Sequence, residues 1–410
     1  MTGVQEAAAP VAEQRAGHAD QAAGQEGQQP PTVNLAALYE DLPPVGADAV
    51  DMTREEAAET KRVFTEIKRV IVGQDRLIER LLVALLARGH ILLEGVPGLA
   101  KTLAIKTVAQ VVGGAFRRIQ FTPDLVPADL VGTRIYHQRT GEFTVEFGPV
   151  FANLLLADEI NRAPAKVQSA LLEVMQERQV TIGGQSYPVP DPFLVLATQN
   201  PIEHDGTYQL PEAQVDRFMF KTVVGYPSLR DELIIVDRAT EAPPNLRSLL
   251  SAERVLALQR EADAVAVDRR VRQYAVYLAT ATRQPELFEL EHLKRYVSYG
   301  ASPRASINLI LGARALALLR GRRYVLPQDV WTLAPDVLRH RIVLSYEALA
   351  ENVGAEDVVE QVVRKIPLPQ LGLPGEVESP YHQERVIKAN TGERPPARRW
   401  GLRRRKGGAA

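Results

Sequence analysis

The chain has 410 residues, a formal net charge of −1 and no cysteine. This length predicts two or three domains, and an apolar content of 45% is sufficient to build buried cores. The absence of cysteine excludes a disulfide framework, thiolate metal sites and a cysteine nucleophile. Balanced charge argues against a chain built wholly around nucleic acid.

The N-terminal residues and the apolar segments both predict a soluble, cytoplasmic protein. The first residues have neither the basic start nor the apolar stretch of a secretory signal. The strongest apolar segment runs from Leu81 to Leu93, but Arg88, Gly89 and His90 interrupt it. It is therefore too short for a transmembrane helix, which needs about 18 uninterrupted apolar residues.

The two ends of the chain differ in composition from the middle. Residues 1–53 are acidic and rich in alanine and glutamine, whereas residues 371–410 end in a run of arginines. Neither end shows apolar periodicity, so we predict that both are disordered. The basic tail could contact an acidic partner, RNA or anionic lipid, but a solvated tail without a specific partner is the favoured interpretation.

Residues 54–227 alternate between helical and strand patterns. Apolar residues from Val63 to Ile71 recur at three- and four-residue spacing, which indicates an amphipathic helix. The segments HILLEG, FANLLLADEI and PFLVLATQNP are apolar runs that end in glycine or polar residues, as buried parallel strands do. This alternation predicts an α/β domain with a helix-covered parallel sheet.

Two insertions and a helical domain complete the predicted organisation. Alternating residues around Thr140-Gly141 and around Gly183-Gly184 predict two β-hairpins within the α/β domain. Beyond Pro227 the strand pattern disappears, and residues 228–370 are predicted to form an all-α domain.

A glycine-rich loop lies between the predicted strand HILLEG and the next helix. Such a loop can hold a phosphate, because its amides and the helix N-terminus converge on the anion. Lys101 would add a cation, and Thr102 a hydroxyl for Mg²⁺. Ala100 stands where a glycine is usual, which is acceptable if its φ is helical. An ordinary strand-to-helix turn is the alternative. The loop comprises Gly95, Val96, Pro97, Gly98, Leu99, Ala100, Lys101 and Thr102.

Polar residues end two further predicted strands. Asp158 and Glu159 follow the loop by about 55 residues. Asp158 could hold Mg²⁺ through water, and Glu159 could polarise an attacking water. The alternative is a carboxylate pair that caps a helix beginning near Arg162. Asn200 ends the other strand and could orient the water, although asparagine before proline is also a common turn.

These segments together resemble the MoxR group of AAA+ ATPases. The resemblance is carried by GVPGLAKT, LLLADEINRAP, ATQNP, LPEAQVDRF and SPRA, in this order, and covers roughly residues 55–370. It implies an AAA+ P-loop NTPase core with a parallel sheet, followed by a helical lid. In that group alanine is the expected residue at position 100.

The resemblance also implies a role for each matching residue. Lys101 and Thr102 would be the Walker A pair, Asp158 and Glu159 the Walker B pair, and Asn200 the sensor-1 residue. Arg217 matches the arginine finger that reaches the neighbouring subunit, and Arg304 matches the sensor-2 arginine. The segment Ile71, Val72, Gly73 and Gln74 matches the part of the chain that packs around adenine.

The residue types and their local context do not decide the roles of the arginines. A guanidinium suits bidentate binding to phosphate, but an intramolecular ion pair is the better interpretation of Arg217 when its sequence context alone is considered. Arg304 lies at a predicted helix start, where the dipole slightly disfavours a cation, and this is a modest hint of function. Arg162 could act across a subunit interface or form a structural ion pair. None of the seven histidines has metal-ligand spacing.

The resemblance implies a chaperone-like ATPase that assembles into a ring, with a hexamer expected, and remodels, matures or activates other proteins. ATP and Mg²⁺ are the expected cofactors, and a von Willebrand A-domain protein is the expected partner. A nucleic-acid motor is the alternative, because related AAA+ branches with the same insertions translocate DNA. The hairpins here lack a basic run interleaved with aromatic residues, which makes nucleic acid the less favoured partner.

Overall fold

The computed structural model describes most of the chain between residues 54 and 374. Predictions for Pro97 and for most of the two tails lie outside the described residues. The described residues are 33–35, 38–39, 52, 54–96, 98–200, 207–240, 244–374 and 376.

Eleven strands are present in the described residues. They are β1 (Ile91–Glu94), β2 (Phe116–Gln120), β3 (Gly132–His137), β4 (Glu142–Phe147), β5 (Leu154–Asp158), β6 (Gln179–Ile182), β7 (Gln185–Pro188), β8 (Leu194–Gln199), β9 (Phe220–Val223), β10 (Val297–Tyr299) and β11 (Val343–Leu344).

Thirteen α-helices are present in the same ranges. They are α1 (Arg54–Lys68), α2 (Asp75–Leu86), α3 (Lys101–Val111), α4 (Pro127–Val131), α5 (Ala165–Glu177), α6 (Glu212–Val215), α7 (Leu229–Ala239), α8 (Ala252–Asp263), α9 (Arg269–Arg283), α10 (Pro303–Leu319), α11 (Pro327–Leu338), α12 (Tyr346–Ala350) and α13 (Ala355–Lys365). Within the described ranges, no helix combines the length and apolarity needed to cross a bilayer.

Five strands form one sheet in the order β2-β5-β8-β1-β9, and every neighbouring pair in it is parallel. The three predicted strands are its centre. The two outer strands were not predicted, because β2 carries Arg117 and Arg118 on an exposed edge and β9 (FKTV) has Lys221 in place of a continuous apolar run. Since all five strands run the same way, their carboxyl ends lie along one edge of the sheet.

The sheet is apolar on both faces. In β5, Leu154 and Leu156 belong to the core cluster on one face, and Leu155 and Ala157 belong to the cluster on the other. Side chains of a strand alternate between faces, so a strand covered on both sides is continuously apolar. The predicted α/β core with a helix-covered parallel sheet is therefore confirmed. The hairpins β3–β4 and β6–β7 also form as predicted.

The helical lid packs directly on the core. Residues of α8 to α11 share one apolar cluster with α2, α3 and the sheet. At Gly312 of α10 the approach is so close that a Cβ would lie 2.9 Å from Leu333 Cδ1 and 3.3 Å from Phe220 Cζ. The prediction of an all-α lid was incomplete, because the short strands β10 and β11 pair antiparallel within it. These strands of two and three residues are too short to give a recognisable alternation.

Some residues before position 54 contact the lid. The amide of Val33 donates to the carbonyl of Leu287 at 2.8 Å, and the hydroxyl of Tyr39 donates to the carbonyl of Pro367 at 3.1 Å. Burial raises the pKa of the Tyr39 hydroxyl well above its ordinary value. At these residues the structure differs from the predicted disordered tail. The boundaries 1–53, 54–227, 228–370 and 371–410 otherwise remain predictions.

Candidate functional site

The glycine-rich loop joins the carboxyl end of β1 to the start of α3. The amide of Gly95 donates to the carbonyl of Gln199 at 3.4 Å, which holds the loop beside the end of β8. Gly98 has a φ of 85° and Ala100 a φ of 55°. The condition under which alanine would be free of strain at position 100, a right-handed helical φ, is therefore not met. Its left-handed backbone is the conformation that favours glycine, and it costs alanine about 1 kcal/mol.

Lys101, the first residue of α3, lies half-buried inside the loop. Its ammonium donates to the carbonyl of Gly95, so the side chain folds back over the loop it follows. Burial lowers the pKa of Lys101, although Asp158, Glu159 and Glu94 oppose that effect. An anion in the loop would act in the same direction as these carboxylates. The site therefore holds a cation that gains from a phosphate ligand.

Asp158 ends β5 beside β2 and β8. Its Oδ1 accepts a 2.6 Å hydrogen bond from the hydroxyl of Thr198, and its Oδ2 accepts bonds of 3.1 and 2.7 Å from the Arg118 guanidinium. Asp158 is 18% exposed, whereas Arg118 is 47% exposed. The carboxylate is thus fixed on one side by a buried hydroxyl and balanced on the other by a cation at the surface.

Glu159 is held in a left-handed conformation with a φ of 55°. Its amide donates to the Thr198 hydroxyl at 2.8 Å, and its Oε2 accepts from Gln120 at 2.8 Å and from Arg162 at 3.0 Å. The helix-capping alternative is wrong for this residue, because its side chain makes no cap bond to the 3₁₀ turn Ile160–Arg162. The Arg162 contact is an intramolecular ion pair, as one of its two interpretations predicted.

The loop and the strand ends surround one cavity of about 420 Å³. This volume lies within the range of about 300–1,000 Å³ that is typical of small-molecule sites. Asn200, only 7% exposed, lies in its wall. The residues that line it are Gly98, Leu99, Ala100, Lys101, Thr102, Leu103, Asp158, Glu159, Thr198 and Asn200.

Three side chains that support the acids were missed in the sequence. Arg118 and Gln120 are two positions apart on β2, so they project from the same face of that strand, and they bond to each other at 2.6 Å. Recognition of FRRIQ as a strand beside β5 would have indicated both. Thr198 precedes Asn200 by two residues, but nothing in the sequence separates it from an ordinary buried threonine.

The segment Val72–Gln74 lies at the same edge of the sheet but outside the cavity lining. Gln74 Nε2 donates to the carbonyl of Gly225 at 3.3 Å, just after β9 ends. The amide of the adjacent residue, Val224, donates to the carbonyl of Glu94 at 2.9 Å, beside the loop. Gly73 has a φ of 64° and closely approaches Asp231 of α7. The three residues therefore form a turn next to the loop.

Arg217 lies at the opposite edge of the sheet. Two residues later, the amide of Met219 donates to the carbonyl of His90 at 2.8 Å, at the amino end of β1. Because the loop follows the carboxyl end of that strand, one strand length of about 16 Å separates the two. No ion pair or hydrogen bond of the Arg217 side chain occurs within the described part of the chain, which differs from the intramolecular ion pair that its sequence context favoured.

Arg304 is close to Arg217 rather than to Lys101. Its guanidinium donates to Asp216 at 2.8 Å, and the buried Arg341 donates to the same carboxylate at 2.7 Å. Asp216 therefore offsets the unfavourable position of a cation at the start of α10. Of the predicted catalytic residues, the fold brings Glu159 and Asn200 together and places Arg217 and Arg304 at the other end of the domain.

A phosphate-type loop at the switch between strand and helix, with two acids and an amide on adjacent strands, defines a P-loop nucleotide-binding domain. Comparison with family models supports this class. Residues 90–220 match the ATPase family associated with various cellular activities, and residues 291–362 match the AAA lid domain.

Individual relatives narrow the class to one family. The chain is 56% identical over 349 residues to Chaperone MoxR1 of Mycobacterium tuberculosis, which covers 85% of this chain and 92% of the relative. It is 33% identical to Protein MoxR of Methylorubrum extorquens, and the matched region covers 77% of this chain and 96% of the relative. A crystal structure from Cytophaga hutchinsonii, assigned as an ATPase, has a TM-score of 0.73 and 49% identity, and covers 77% of this chain and 96% of its own. The chain belongs to the MoxR family of AAA+ ATPases.

Proposed function

We propose that this protein binds ATP with Mg²⁺ at subunit interfaces of a ring and hydrolyses it to remodel, mature or activate partner proteins. The observation that carries the proposal is the single cavity in which Lys101, Thr102, Asp158, Glu159 and Asn200 meet. Each of these groups has a separate use in phosphoryl transfer to water.

The loop and two oxygen donors suit the nucleotide and its metal. Loop amides and the α3 N-terminus would bind the β-phosphate, and Lys101 would neutralise the β- and γ-phosphates. The hydroxyl of Thr102 and, through water, the carboxylate of Asp158 are hard oxygen ligands of the kind Mg²⁺ prefers, and both line the cavity. Mg²⁺ would supply charge neutralisation on the phosphate oxygens. Ile71 to Gln74 would pack beside the adenine.

Glu159 and Asn200 would act on the attacking water. The carboxylate of Glu159 would polarise the water, and its orientation is set by Gln120 and by the Thr198 hydroxyl that holds its amide. Asn200 would orient the same water through a neutral amide, which does not repel the γ-phosphate. In this assignment Thr198 positions the acids through its hydrogen bonds to Asp158 and to the amide of Glu159.

The arginines require a second subunit. Arg217 is about one strand length from the loop of its own chain, which is too far for contact with its own γ-phosphate. We assign Arg217 as an arginine finger that reaches the adjacent subunit. Arg304 is paired with Asp216, the residue before Arg217, and we assign it as a second cation at the same interface. Hydrolysis would then depend on assembly, and a hexameric ring is the proposed form.

The proposed partner is a protein, and a von Willebrand A-domain protein is the first candidate. The name of the 56% identical relative describes a chaperone, which supports a protein client. The hairpin β3–β4 supports it further, because it exposes Tyr136 and Phe143 in contact with each other at 5.0 Å between ring centres. We propose a cytoplasmic location.

Subunit mixing tests the proposal. Arg217→Ala should lower turnover by about 10³–10⁵ and leave nucleotide affinity nearly unchanged, because a trans arginine contributes to the transition state. Lys101→Ala should weaken nucleotide binding but keep a working arginine. A mixture of the two inactive variants should regain phosphate release, since intact loops meet intact arginines. Normal hydrolysis by Arg217→Ala alone would refute the assignment.

Glu159→Gln provides the companion experiment. This variant should bind ATP, fail to cleave it and remain assembled, because the carboxylate that polarises the water is absent while the loop is intact. Its complexes should retain a client in a pulldown with ATP. Turnover close to that of the unmodified protein would remove Glu159 from the mechanism.

A further inference from the structure

Arg217 belongs to a short connection between α6 and β9. This connection, residues 216–219, follows a helix of a single turn, and one turn of helix is too short to fix the direction of the chain by itself. The Arg217 side chain forms no hydrogen bond or ion pair within the described part of the chain. The direction in which it points therefore depends on how the backbone of residues 216–219 is held.

Arg341, just after α11 in the lid, holds that backbone. Its side chain is 1% exposed. Its Nε donates to Asp216 Oδ1 at 2.7 Å, and its Nη2 donates to the carbonyls of Asp216 at 3.0 Å and Phe218 at 2.6 Å. Its Nη1 donates to the carbonyl of Met219 at 3.3 Å and to that of Val337.

All five N–H groups of this guanidinium thus have an acceptor, and four of the five acceptors belong to residues 216–219. The carbonyls of Asp216 and Phe218 lie before and after Arg217 in the chain. Because a guanidinium is planar and rigid, one group fixes the chain on both sides of Arg217. A lysine ammonium is a point charge with three donors and could not reproduce this arrangement.

The charge of Arg341 is retained despite its burial. Burial lowers the pKa of Arg341 to about 10, and the Asp216 carboxylate opposes that effect, so the guanidinium is charged at neutral pH. A buried ion pair contributes little stability beyond what apolar side chains of the same volume would give. The property that an apolar side chain could not supply here is the fixed direction of residues 216–219.

Arg339 provides a contrast to Arg341. It lies two residues earlier on the same 3₁₀ turn, and its side chain is 8% exposed. It donates to the carbonyl of Lys221 on β9 and to the carboxylate of Asp336. Both arginines thus attach the lid to the segment that enters or forms β9, but of the two, within the described residues, Arg341 alone contacts residues 216–219.

We propose that Arg341 is a positioning residue for Arg217, which it holds at the angle needed to reach the phosphates bound by another copy of the chain. This inference rests on the proposed function, because it takes Arg217 as the group that acts on those phosphates. The lid would then control turnover through the direction of one side chain. A displacement of a reacting group by about 1 Å can lower a rate by about 10²-fold.

Arg341→Lys tests the proposal, because it keeps a cation beside Asp216 but loses the planar set of bonds. Its kcat for ATP hydrolysis should fall by about 10- to 10²-fold. Its KM for ATP should change by less than about twofold, because the loop is intact. Arg339→Lys is the matched control, and its kcat should stay close to that of the unmodified chain. An equal loss of kcat in both variants would show that attachment of the lid alone matters, and would overturn the proposal.

Subunit mixing identifies which side of the interface Arg341 serves. Arg341→Lys mixed with Lys101→Ala should regain phosphate release, because intact loops then meet correctly held arginines. Arg341→Lys mixed with Arg217→Ala should not, because both variants are defective in the arginine. A variant that is merely misfolded would be rescued by neither. Rescue by Arg217→Ala, or by neither variant, is thus the result that contradicts a positioning role.

A second variant covers the case in which Arg341→Lys does not fold, as judged by circular dichroism. Arg341→Met keeps a similar volume and removes the buried charge, and it should show the same loss of kcat and the same one-sided rescue. If Arg217→Ala and Lys101→Ala rescue each other while the Arg341 variants turn over like the unmodified chain, only this inference fails. If Arg217→Ala and Lys101→Ala do not rescue each other, the proposed function fails and this inference fails with it.

Discussion

Replacing Thr198 with valine tests whether one buried hydroxyl holds both acids of the site. Thr198 is 2% exposed, donates to Asp158 Oδ1 at 2.6 Å and accepts from the amide of Glu159 at 2.8 Å. A hydrogen bond to a charged group contributes about 1.5–3 kcal/mol, and a buried amide that loses its acceptor costs about 1–3 kcal/mol. Because Asp158 keeps Arg118, we expect Thr198→Val to lower the free energy of unfolding by about 2–4 kcal/mol.

The sheet offers a matched control for this substitution. Leu93 of β1 pairs with Thr198 of β8 on one side and with Thr222 of β9 on the other. Thr222 is 1% exposed, so it is buried as fully as Thr198. Within the described part of the chain, its buried hydroxyl has no hydrogen-bond partner. Thr222→Val should therefore leave stability unchanged or raise it by about 1 kcal/mol, since it removes an unsatisfied polar group of the same shape.

Urea unfolding followed by circular dichroism measures the stability difference, and phosphate release measures the effect on turnover. Turnover should fall in Thr198→Val, because Glu159 loses the bond that fixes its backbone, and should be unchanged in Thr222→Val. Equal effects of the two substitutions on stability and turnover would refute the idea that Thr198 positions the acids.

Two further predictions concern the loop backbone and pH. Gly98 and Ala100 both have a left-handed backbone, which glycine adopts more easily than alanine. Ala100→Gly should therefore raise the free energy of unfolding by up to about 1 kcal/mol, and Gly98→Ala should lower it by about 1–2 kcal/mol. Thermal unfolding of the nucleotide-free protein measures whether the two changes have opposite signs. Burial lowers the pKa of His90 to about 3 from 6.5, so stability present above pH 6.5 should fall by about 1.4 kcal/mol per unit as pH falls from there toward 3. His90→Asn should reduce the slope of stability against pH by about one proton in urea titrations between pH 6 and 4, and an unchanged slope would contradict the assignment.

Local patterns were sufficient for the centre of the sheet and for the nucleotide loop. β1, β5 and β8 are short apolar runs with buried residues on both faces, so their sequences are distinctive. The loop is recognisable because glycine, lysine and threonine occur at fixed spacing between a strand and a helix. The edge strand β2 was not recognisable, because an edge strand is partly solvated and carries charge.

The partners of the acids could not be read from spacing. Arg118 lies 40 residues before Asp158, and Thr198 lies 40 residues after it. Only the parallel register of β2, β5 and β8 brings the three together. The backbone of Ala100 is a similar case, since alanine gives no local sign of a left-handed φ.

By itself, the sequence determined the family, the α/β core with its helical lid, and the loop, acids and amide of the nucleotide cavity, but not Thr198. These follow from residue type and from spacing along the chain, which a short segment carries without its surroundings. The tertiary structure alone decided that Arg217 and Arg304 lie at the opposite edge of the sheet from the loop of their own chain. Such properties depend on strand order and on packing between distant segments, so no local pattern encodes them.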